Sequence, residues 1–365
     1  MIRLLISDDS AFMRIAIKKM VESDPEIEVV GEARTGQMCV QMAEQLKPDV
    51  ITMDVEMPVM DGLEATRQIM ARCPCPIIML SSLTERNSVT TIKALELGAV
   101  DFIAKKSSFV QLDIVKIGGE LVDKLKYWAK KRSRLSLMQT RTVNFAPKVD
   151  TQLPVHLRRV DASAPPGLVV LGISTGGPAT LPIMLKAMGR LSCPMVVAQH
   201  MPPMFTSGFA SHLRAETGLE VVESKDGMEL LPGMVVIAKG GTDVVIREPF
   251  PGKLMVYEKT DPEAAIHPNA DVLFRSAAGV SCPVTAVIMT GMGSDGAKGG
   301  KELVSRKAAH VFAQEPSTCI VDGMPASAID AGIASAVLSP QDIGAKLARM
   351  AGQREPLNLK TPTLT

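Results

Sequence analysis

Aromatic residues and long hydrophobic runs are scarce in this sequence of 365 residues. Only 12 residues are Phe, Trp or Tyr, so recognition of nucleic acid or sugars by stacking gains little support. No apolar run reaches the roughly 18 residues that span a bilayer, and the short apolar stretch before Asp8 is too brief for a signal peptide. We therefore expect a cytoplasmic protein that is not inserted in a membrane.

Cysteine is also sparse and scattered. Of the six cysteines, only Cys73 and Cys75 lie close together, separated by Pro74. This spacing suits neither a zinc site nor a C-x-x-C redox motif. We interpret all six as reduced thiols and expect no metal at them.

A net charge of +1 conceals a strong asymmetry along the chain. Residues 124–159 contain ten Lys or Arg and one acid, a net charge of +9, whereas the rest of the chain has 30 basic and 38 acidic residues, a net charge of −8. The basic stretch is either a solvated connector or a docking segment for an acidic partner or nucleic acid. The length favours two domains, one on each side of this stretch.

Hydrophobic periodicity predicts an α/β protein with two doubly wound domains. The first five apolar runs alternate with helical patterns, which indicates an N-terminal five-stranded parallel sheet. The second half predicts a mostly parallel sheet with an antiparallel excursion over Met228–Tyr257, at an edge of that sheet. The predicted boundaries are 1–122 for the first domain, 123–166 for a basic, Pro-containing linker, 167–352 for the second domain and 353–365 for a tail. The predicted strands of the two halves are Leu4–Ile6, Val29–Val30, Val50–Met53, Ile77–Leu80 and Phe102–Ala104, then Gly167–Gly172, Met195–Gln199 and Val284–Thr290.

Polar side chains follow the predicted strands of the first domain. Asp8 and Asp9 follow the first strand, Asp54 the third, Ser81 the fourth and Lys105 the fifth. The carboxyl ends of parallel strands meet at one edge, so three carboxylates, a hydroxyl and an ammonium converge there. Oxygen ligands of this kind favour Mg²⁺, and Asp54 is the natural nucleophile for an aspartyl phosphate.

The first 106 residues resemble the receiver domain of bacterial response regulators. The resemblance rests on D-D-S at Asp8–Ser10, D-V-E-M-P-x-M-D-G at Asp54–Gly62 and S-S-L-T at Ser81–Thr84. It implies that a histidine kinase phosphorylates Asp54 and that Mg²⁺ is held by the three aspartates. It also implies that Ser81 and Phe102 rearrange on phosphorylation.

The second domain contains a glycine-rich turn around Ser174, within Gly172–Pro178, directly after an apolar run. Such a turn exposes the hydroxyl and offers free backbone N–H groups to an oxyanion. By itself the turn also suits a pyrophosphate. Two features that would favour a nucleotide site are missing, however: a G-x-G-x-x-G motif, and an acid about 20 residues further on.

A serine nucleophile needs a base and an orienting acid. Of the five histidines, only His200 ends a predicted strand, and Asp295 follows the strand Val284–Thr290. An alternative is that Asp295 caps the helix predicted from Gly299. The chain order Ser, His, Asp differs from the Ser, Asp, His order of α/β hydrolases, which argues against that fold.

Residues 167–350 resemble the catalytic domain of bacterial chemotaxis methylesterases. The motifs are G-x-S-T-G-G-P, Q-H-M-P, D-V-L-F-R-S at Asp271–Ser276 and T-G-M-G-x-D-G-A-x-G at Thr290–Gly299. The resemblance implies a Ser174, His200 and Asp295 triad, with Thr175 and Met292 in supporting roles. It also implies hydrolysis of methyl-glutamate esters on the cytoplasmic domains of chemoreceptors, releasing methanol without a cofactor, and in many members deamidation of receptor glutamines.

Together the two resemblances predict a methylesterase that a chemotaxis histidine kinase regulates through the receiver. Two rival hypotheses remain. A receiver with a DNA-binding output needs a basic helix-turn-helix domain, but the positive charge lies in the connector, so we expect no nucleic-acid partner. A scaffold that has lost activity is the second rival, and measurement of methanol release distinguishes it from an enzyme.

Overall fold

The computed structural model describes residues 1–82, 85–105, 118–130, 165–260 and 266–352. Most of the predicted linker, residues 131–164, and the predicted tail at 353–365 lie outside the described residues, as does Thr84 of the S-S-L-T motif. The described chain forms two compact units, one before the linker and one after it. Among the described helices, none has the length and hydropathy of a membrane span.

The first unit is a five-stranded sheet in the order β2-β1-β3-β4-β5, and every pairing is parallel. All five predicted strands are confirmed. Serine, threonine and aspartate cap the first three helices through Ser10, Thr35 and Asp61, as expected of residues that accept from free N–H groups. The elements are β1 Ile2–Ser7, α1 Ala11–Glu22, β2 Ile27–Ala33, α2 Gly36–Leu46, β3 Val50–Asp54, α3 Gly62–Arg72, β4 Ile77–Ser82, α4 Glu85–Glu96, β5 Asp101–Lys105 and α5 over 118–130.

The second unit is a seven-stranded parallel sheet in the order β15-β14-β13-β6-β7-β10-β8, with a separate three-stranded antiparallel sheet in the order β11-β12-β9. Its elements are β6 Leu168–Ile173, α6 Gly177–Met188, β7 Met195–Gln199, α7 Phe205–Thr217, β8 Glu220–Glu223, β9 Met228–Glu229, β10 Met234–Ile237, β11 Asp243–Phe250, β12 Lys253–Lys259, α8 Ala270–Ala277, β13 Val284–Ile288, α9 Ala297–Arg306, β14 His310–Gln314, a 3₁₀ turn Pro316–Thr318, α10 Gly323–Asp330, β15 Ala336–Leu338 and α11 Pro340–Met350.

The antiparallel excursion is confirmed, but one strand inside Met228–Tyr257 does not belong to it. Strand β10 pairs in parallel with β7 and β8, so it is part of the main sheet. All four of its residues, Met234–Ile237, are buried. A short, continuous apolar run is typical of a parallel strand that is covered on both faces. In the antiparallel pair, buried residues instead alternate with more exposed ones, as Val244 and Ile246 do in β11 and Leu254 and Val256 in β12.

Both parallel sheets contain a point at which the chain reverses its direction of winding. In the first unit this point lies between β1 and β3, and in the second between β6 and β13. Ligands of open α/β sheets bind in the crevice outside the carboxyl ends of the strands at such a point. Asp8 and Ser174 directly follow β1 and β6. The topology therefore places both candidate sites where this rule expects them.

Candidate functional site

Ser174 lies in a tight turn between β6 and α6. The Ser174 N–H donates to the Thr290 carbonyl at 2.9 Å, and the Ser174 carbonyl accepts from Gly177 N–H at 2.8 Å. Gly176 has a φ of 83°, and a Cβ there would lie 2.6 Å from Ile320 Cβ. Both conditions favour glycine. The glycines therefore allow the turn that brings the Ser174 side chain to the rim of the sheet.

His200 directly follows β7, the strand beside β6. Its N–H donates to the Ile173 carbonyl at 3.0 Å, which ties the start of its loop to the strand that carries Ser174. Its Nε2 lies 2.7 Å from Asp295 Oδ2. An ionised carboxylate only accepts hydrogen bonds, so Nε2 carries the proton and Nδ1 remains an acceptor. The structure thus brings two of the three predicted triad side chains into contact.

Asp295 is held by backbone N–H groups as well as by the imidazole. Its Oδ2 accepts from Ala270 N–H at 2.7 Å, and its Oδ1 accepts from Asp271 N–H and Gly296 N–H, both at 2.9 Å. Burial by itself raises the pKa of Asp295, but the hydrogen bonds from His200, Ala270 and Asp271 outweigh it, so the pKa lies below the ordinary 3.8. Asp295 is therefore a stable anion that orients the imidazole.

The third contact expected of a triad is not formed. Within the described residues no hydrogen bond joins Ser174 Oγ to His200. Catalytic hydrogen bonds often tighten only when substrate is bound. Ser174 itself is 9% exposed, so the residue is mostly buried.

Thr175 and Met292 lie on the two loops that meet at Ser174. The Thr175 carbonyl accepts from Thr290 Oγ1 at 3.0 Å. Met292 follows Gly291, where a Cβ would lie 2.7 Å from Ser174 Cβ. The structure thus places Thr175 and Met292, the residues predicted to have supporting roles, on the loops that meet at Ser174.

Sequence reasoning missed the residues that support Asp295 from the start of α8. Asn269 caps α8 by accepting from Val272 N–H, and its own N–H donates at 2.8 Å to the buried Asp243, which also contacts His267 Nδ1 at 2.9 Å. The D-V-L-F-R-S motif marked this region only as a family signature. The available signal was Asn269 itself, a residue type that favours the N-cap, directly before an amphipathic helix.

The first unit brings Lys105 between two carboxylates. Lys105 Nζ lies 2.8 Å from Asp8 Oδ2 and 2.7 Å from Asp54 Oδ1. One oxygen of each of Asp8, Asp9 and Asp54 lies within 4.8 Å of the others. Three hard oxygen donors in this space fit Mg²⁺ completed by water. Burial, with a smaller contribution from Asp8, raises the pKa of Asp54 to about 6 against the opposing effect of Lys105.

Ser81 and Phe102 lie on neighbouring strands of the same unit. Ser81 is buried near the carboxyl end of β4 and pairs with Ala104 of β5. Phe102 lies in β5, mostly buried, with Lys124 Nζ 5.8 Å from its ring centre. Ser81 is thus near the strand end that carries Lys105, whereas Phe102 lies three residues before it.

Comparison with known proteins adds the family context. The CheB methylesterase family matches residues 169–347, and the response regulator receiver domain matches residues 4–115. "Protein-glutamate methylesterase/protein-glutamine glutaminase 2" of Carboxydothermus hydrogenoformans is 41% identical, over 96% of this chain and 99% of its own. The Bacillus subtilis protein named "Protein-glutamate methylesterase/protein-glutamine glutaminase" is 38% identical over 95% and 98%. The crystal structure of the Thermotoga maritima CheB methylesterase catalytic domain is 36% identical, with a TM-score of 0.48, and covers 51% of this chain and 98% of that one.

Proposed function

This chain belongs to the CheB methylesterase family with an N-terminal receiver, and we propose that it demethylates methyl-glutamate residues of chemoreceptors through Ser174, His200 and Asp295. The observation that carries the proposal is the 2.7 Å contact between His200 and Asp295 beside the Ser174 turn. Nucleophile, base and acid follow three adjacent strands, β6, β7 and β13. This arrangement has the elements of a serine hydrolase.

The proposed mechanism gives each of the three side chains one role. Asp295 holds Nε2 of His200, so Nδ1 accepts the Ser174 proton as Oγ attacks the ester carbonyl. His200 then returns that proton to the departing methoxy oxygen, and methanol leaves. Water, deprotonated by His200, attacks the acyl-enzyme and releases glutamate and Ser174. Asp295 stabilises the imidazolium in both steps.

Backbone N–H groups near Gly176 and Met292 bind the oxyanion in this mechanism. Among the described hydrogen bonds, neither the Gly176 N–H nor the Met292 N–H donates to an acceptor. Both belong to the loops that meet at Ser174. Preorganised donors of this kind stabilise the charge that develops in the transition state.

The same site serves a second reaction of the same type. The names of the curated relatives pair the methylesterase with a protein-glutamine glutaminase. In deamidation Ser174 attacks a glutamine amide and ammonia leaves in place of methanol. The acyl-enzyme is then identical, so no further catalytic group is needed.

In the receiver, Asp54 accepts a phosphoryl group from a chemotaxis histidine kinase. Asp8, Asp9 and Asp54 would hold Mg²⁺, which offsets the negative charge of the phosphoryl group. Lys105 contacts Asp54 directly and adds a fixed positive charge. Ser81 and Phe102 rearrange when Asp54 is phosphorylated.

We place the protein in the cytoplasm, where receptor tails and kinase meet. The proposed domain boundaries are 1–122 for the receiver, 123–166 for the linker, 167–352 for the methylesterase domain and 353–365 for the tail.

The decisive experiment measures methanol released from methyl-labelled chemoreceptors of the host, with and without a small acyl phosphate and Mg²⁺. The proposed function requires release by the purified chain and faster release with the phosphodonor. Ammonia release from receptors with unmodified glutamines tests the deamidase in the same preparation. A folded chain that binds receptors but releases neither product would be a scaffold, and the proposal would be wrong.

A further inference from the structure

Gln199 is the last residue of β7 and lies directly before His200. It is 1% exposed. Its Nε2 donates to the Ser174 carbonyl at 3.0 Å and to the His200 carbonyl at 3.1 Å. One side-chain amide therefore joins the main chains of the nucleophile and the base, although it contacts neither reacting atom.

The other end of this amide is unsatisfied. Gln199 Oε1 is buried and has no hydrogen-bond partner within the described chain. It lies against Gly177, where a Cβ would come within 1.9 Å of it. A buried acceptor without a donor is destabilising, and an apolar side chain of similar shape would avoid that penalty. The contribution of the two donated hydrogen bonds to stability is therefore partly offset by the unsatisfied acceptor at the other end of the amide.

We propose that Gln199 is a positioning residue that sets the spacing between Ser174 and His200. The inference rests on the proposed function, because it assigns those two residues as nucleophile and base. With both carbonyls tied to one amide, the two main chains cannot drift apart. Preorganisation of this kind contributes to the turnover step more than to substrate binding.

Two substitutions test the role. Gln199→Met keeps the length and removes both hydrogen bonds, and Gln199→Glu places a carboxylate against two carbonyl oxygens. We expect Gln199→Met to lower kcat for methanol release on the order of 10- to 100-fold, with KM within about twofold of wild type. A kcat within twofold of wild type, in a chain with normal circular dichroism, would overturn the proposal.

The Gln199→Glu variant adds a readout that a purely structural role does not produce. Its carboxyl group donates one hydrogen bond when protonated and none when ionised. Burial favours the protonated form. The ratio of its kcat to that of wild type should therefore rise as the pH falls, at pH values where circular dichroism shows both chains folded. A ratio that stays constant over this range would contradict positioning by donated hydrogen bonds.

Ser224 supplies a control in the same unit. It is also buried, directly follows the edge strand β8, and its Oγ accepts from Lys239 N–H at 3.0 Å. Ser224→Ala removes this hydrogen bond, so it should lower the melting temperature and change kcat by less than about threefold. An equal loss of kcat in Gln199→Met and Ser224→Ala would show that Gln199 acts only through stability. If wild type itself releases no methanol, the proposed function fails instead, so the two failures are distinguishable.

Discussion

Asp295 and Asp271 join the first turns of α8 and α9 through reciprocal hydrogen bonds. Asp295 precedes α9, yet its carboxylate accepts from the N–H groups of Ala270 and Asp271 in the first turn of α8. Asp271 lies in α8, and its Oδ1 accepts from Gly299 N–H in the first turn of α9 at 2.6 Å. This exchange fixes the two helices to each other and holds Asp295 against His200.

Removing the Asp271 carboxylate should loosen this arrangement. We expect Asp271→Ala to destabilise the fold by about 1 kcal/mol, as for the loss of a helix cap, and to lower kcat on the order of tenfold through movement of Asp295. Asp271→Asn keeps the acceptor for Gly299 and should stay close to wild type. Thermal unfolding and methanol release measure the two effects. Equal activity of the Ala and Asn variants would show that the cap does not position Asp295.

The relation between Asp271 and Asp295 also shows where sequence reasoning ends. The alternative role for Asp295, a cap of the following helix, was reasonable from local sequence. In the structure Gly296 is the N-cap of α9, without a side-chain cap, and Asp295 binds the preceding helix instead. The local sequence predicts where a helix begins. Which distant side chain accepts from the free N–H groups of its first turn depends on tertiary packing.

Stability should depend on pH through Asp295. Its pKa is lower in the folded state than the ordinary 3.8. At pH values between the folded pKa and 3.8, this carboxyl group is therefore mostly protonated in the unfolded chain and mostly ionised in the folded chain. The stabilisation is therefore complete above about pH 4 and is lost as the pH falls through the folded pKa. The difference in melting temperature between wild type and Asp295→Asn should be large at pH 6 and shrink as the pH falls below 4.

Wild type and Asp295→Asn have the same receiver, so the difference between their melting temperatures isolates the effect of the substitution at Asp295. Calorimetry of the two chains across pH 3–7 measures it. A difference that stays constant down to pH 3 would mean that the Asp295 carboxylate has no lowered pKa. A difference that grows on acidification would reverse the predicted sign.

Phosphorylation should occur at Asp54 and should need Mg²⁺. Incubation with an acyl phosphate should label the wild-type chain, and Asp54→Asn should abolish the label because an amide lacks the nucleophilic carboxylate. Asp49→Asn is a matched control. Asp49 directly precedes β3, the strand that ends at Asp54, and accepts from Arg3 N–H. Peptide mapping of the hydroxylamine-sensitive label measures the site. Label that persists in Asp54→Asn at the wild-type level would contradict the assignment.

The fold was more predictable than the network that supports the site. Buried runs such as Met195–Gln199 were predicted to the residue, because short apolar segments between turns have few alternatives. The parallel pairing of Met234–Ile237 was not, since pairing depends on which strands lie beside it. His200 and Asp295 are predictable from their places after strands. The choice of Nε2 for Asp295 and the bridging amide of Gln199 depend on side-chain orientation, which no spacing encodes.

Ser174 and His200 should each be indispensable for hydrolysis. Members of a catalytic triad act as a unit, so Ser174→Ala and His200→Ala should each lower kcat on the order of 10⁶-fold, and the double variant should be no slower than either. His212→Gln is the control for loss of a histidine, because His212 lies in α7 with Glu216 3.2 Å from its Nε2; it should keep wild-type kcat. Methanol release measures all four chains at equal folded concentration, as judged by circular dichroism.

If the effects of the single substitutions instead multiplied in the double variant, Ser174 and His200 would contribute independently, and proton transfer between them would not be part of the reaction. Near-normal release by Ser174→Ala would remove Ser174 as the nucleophile, whatever its place at the end of β6.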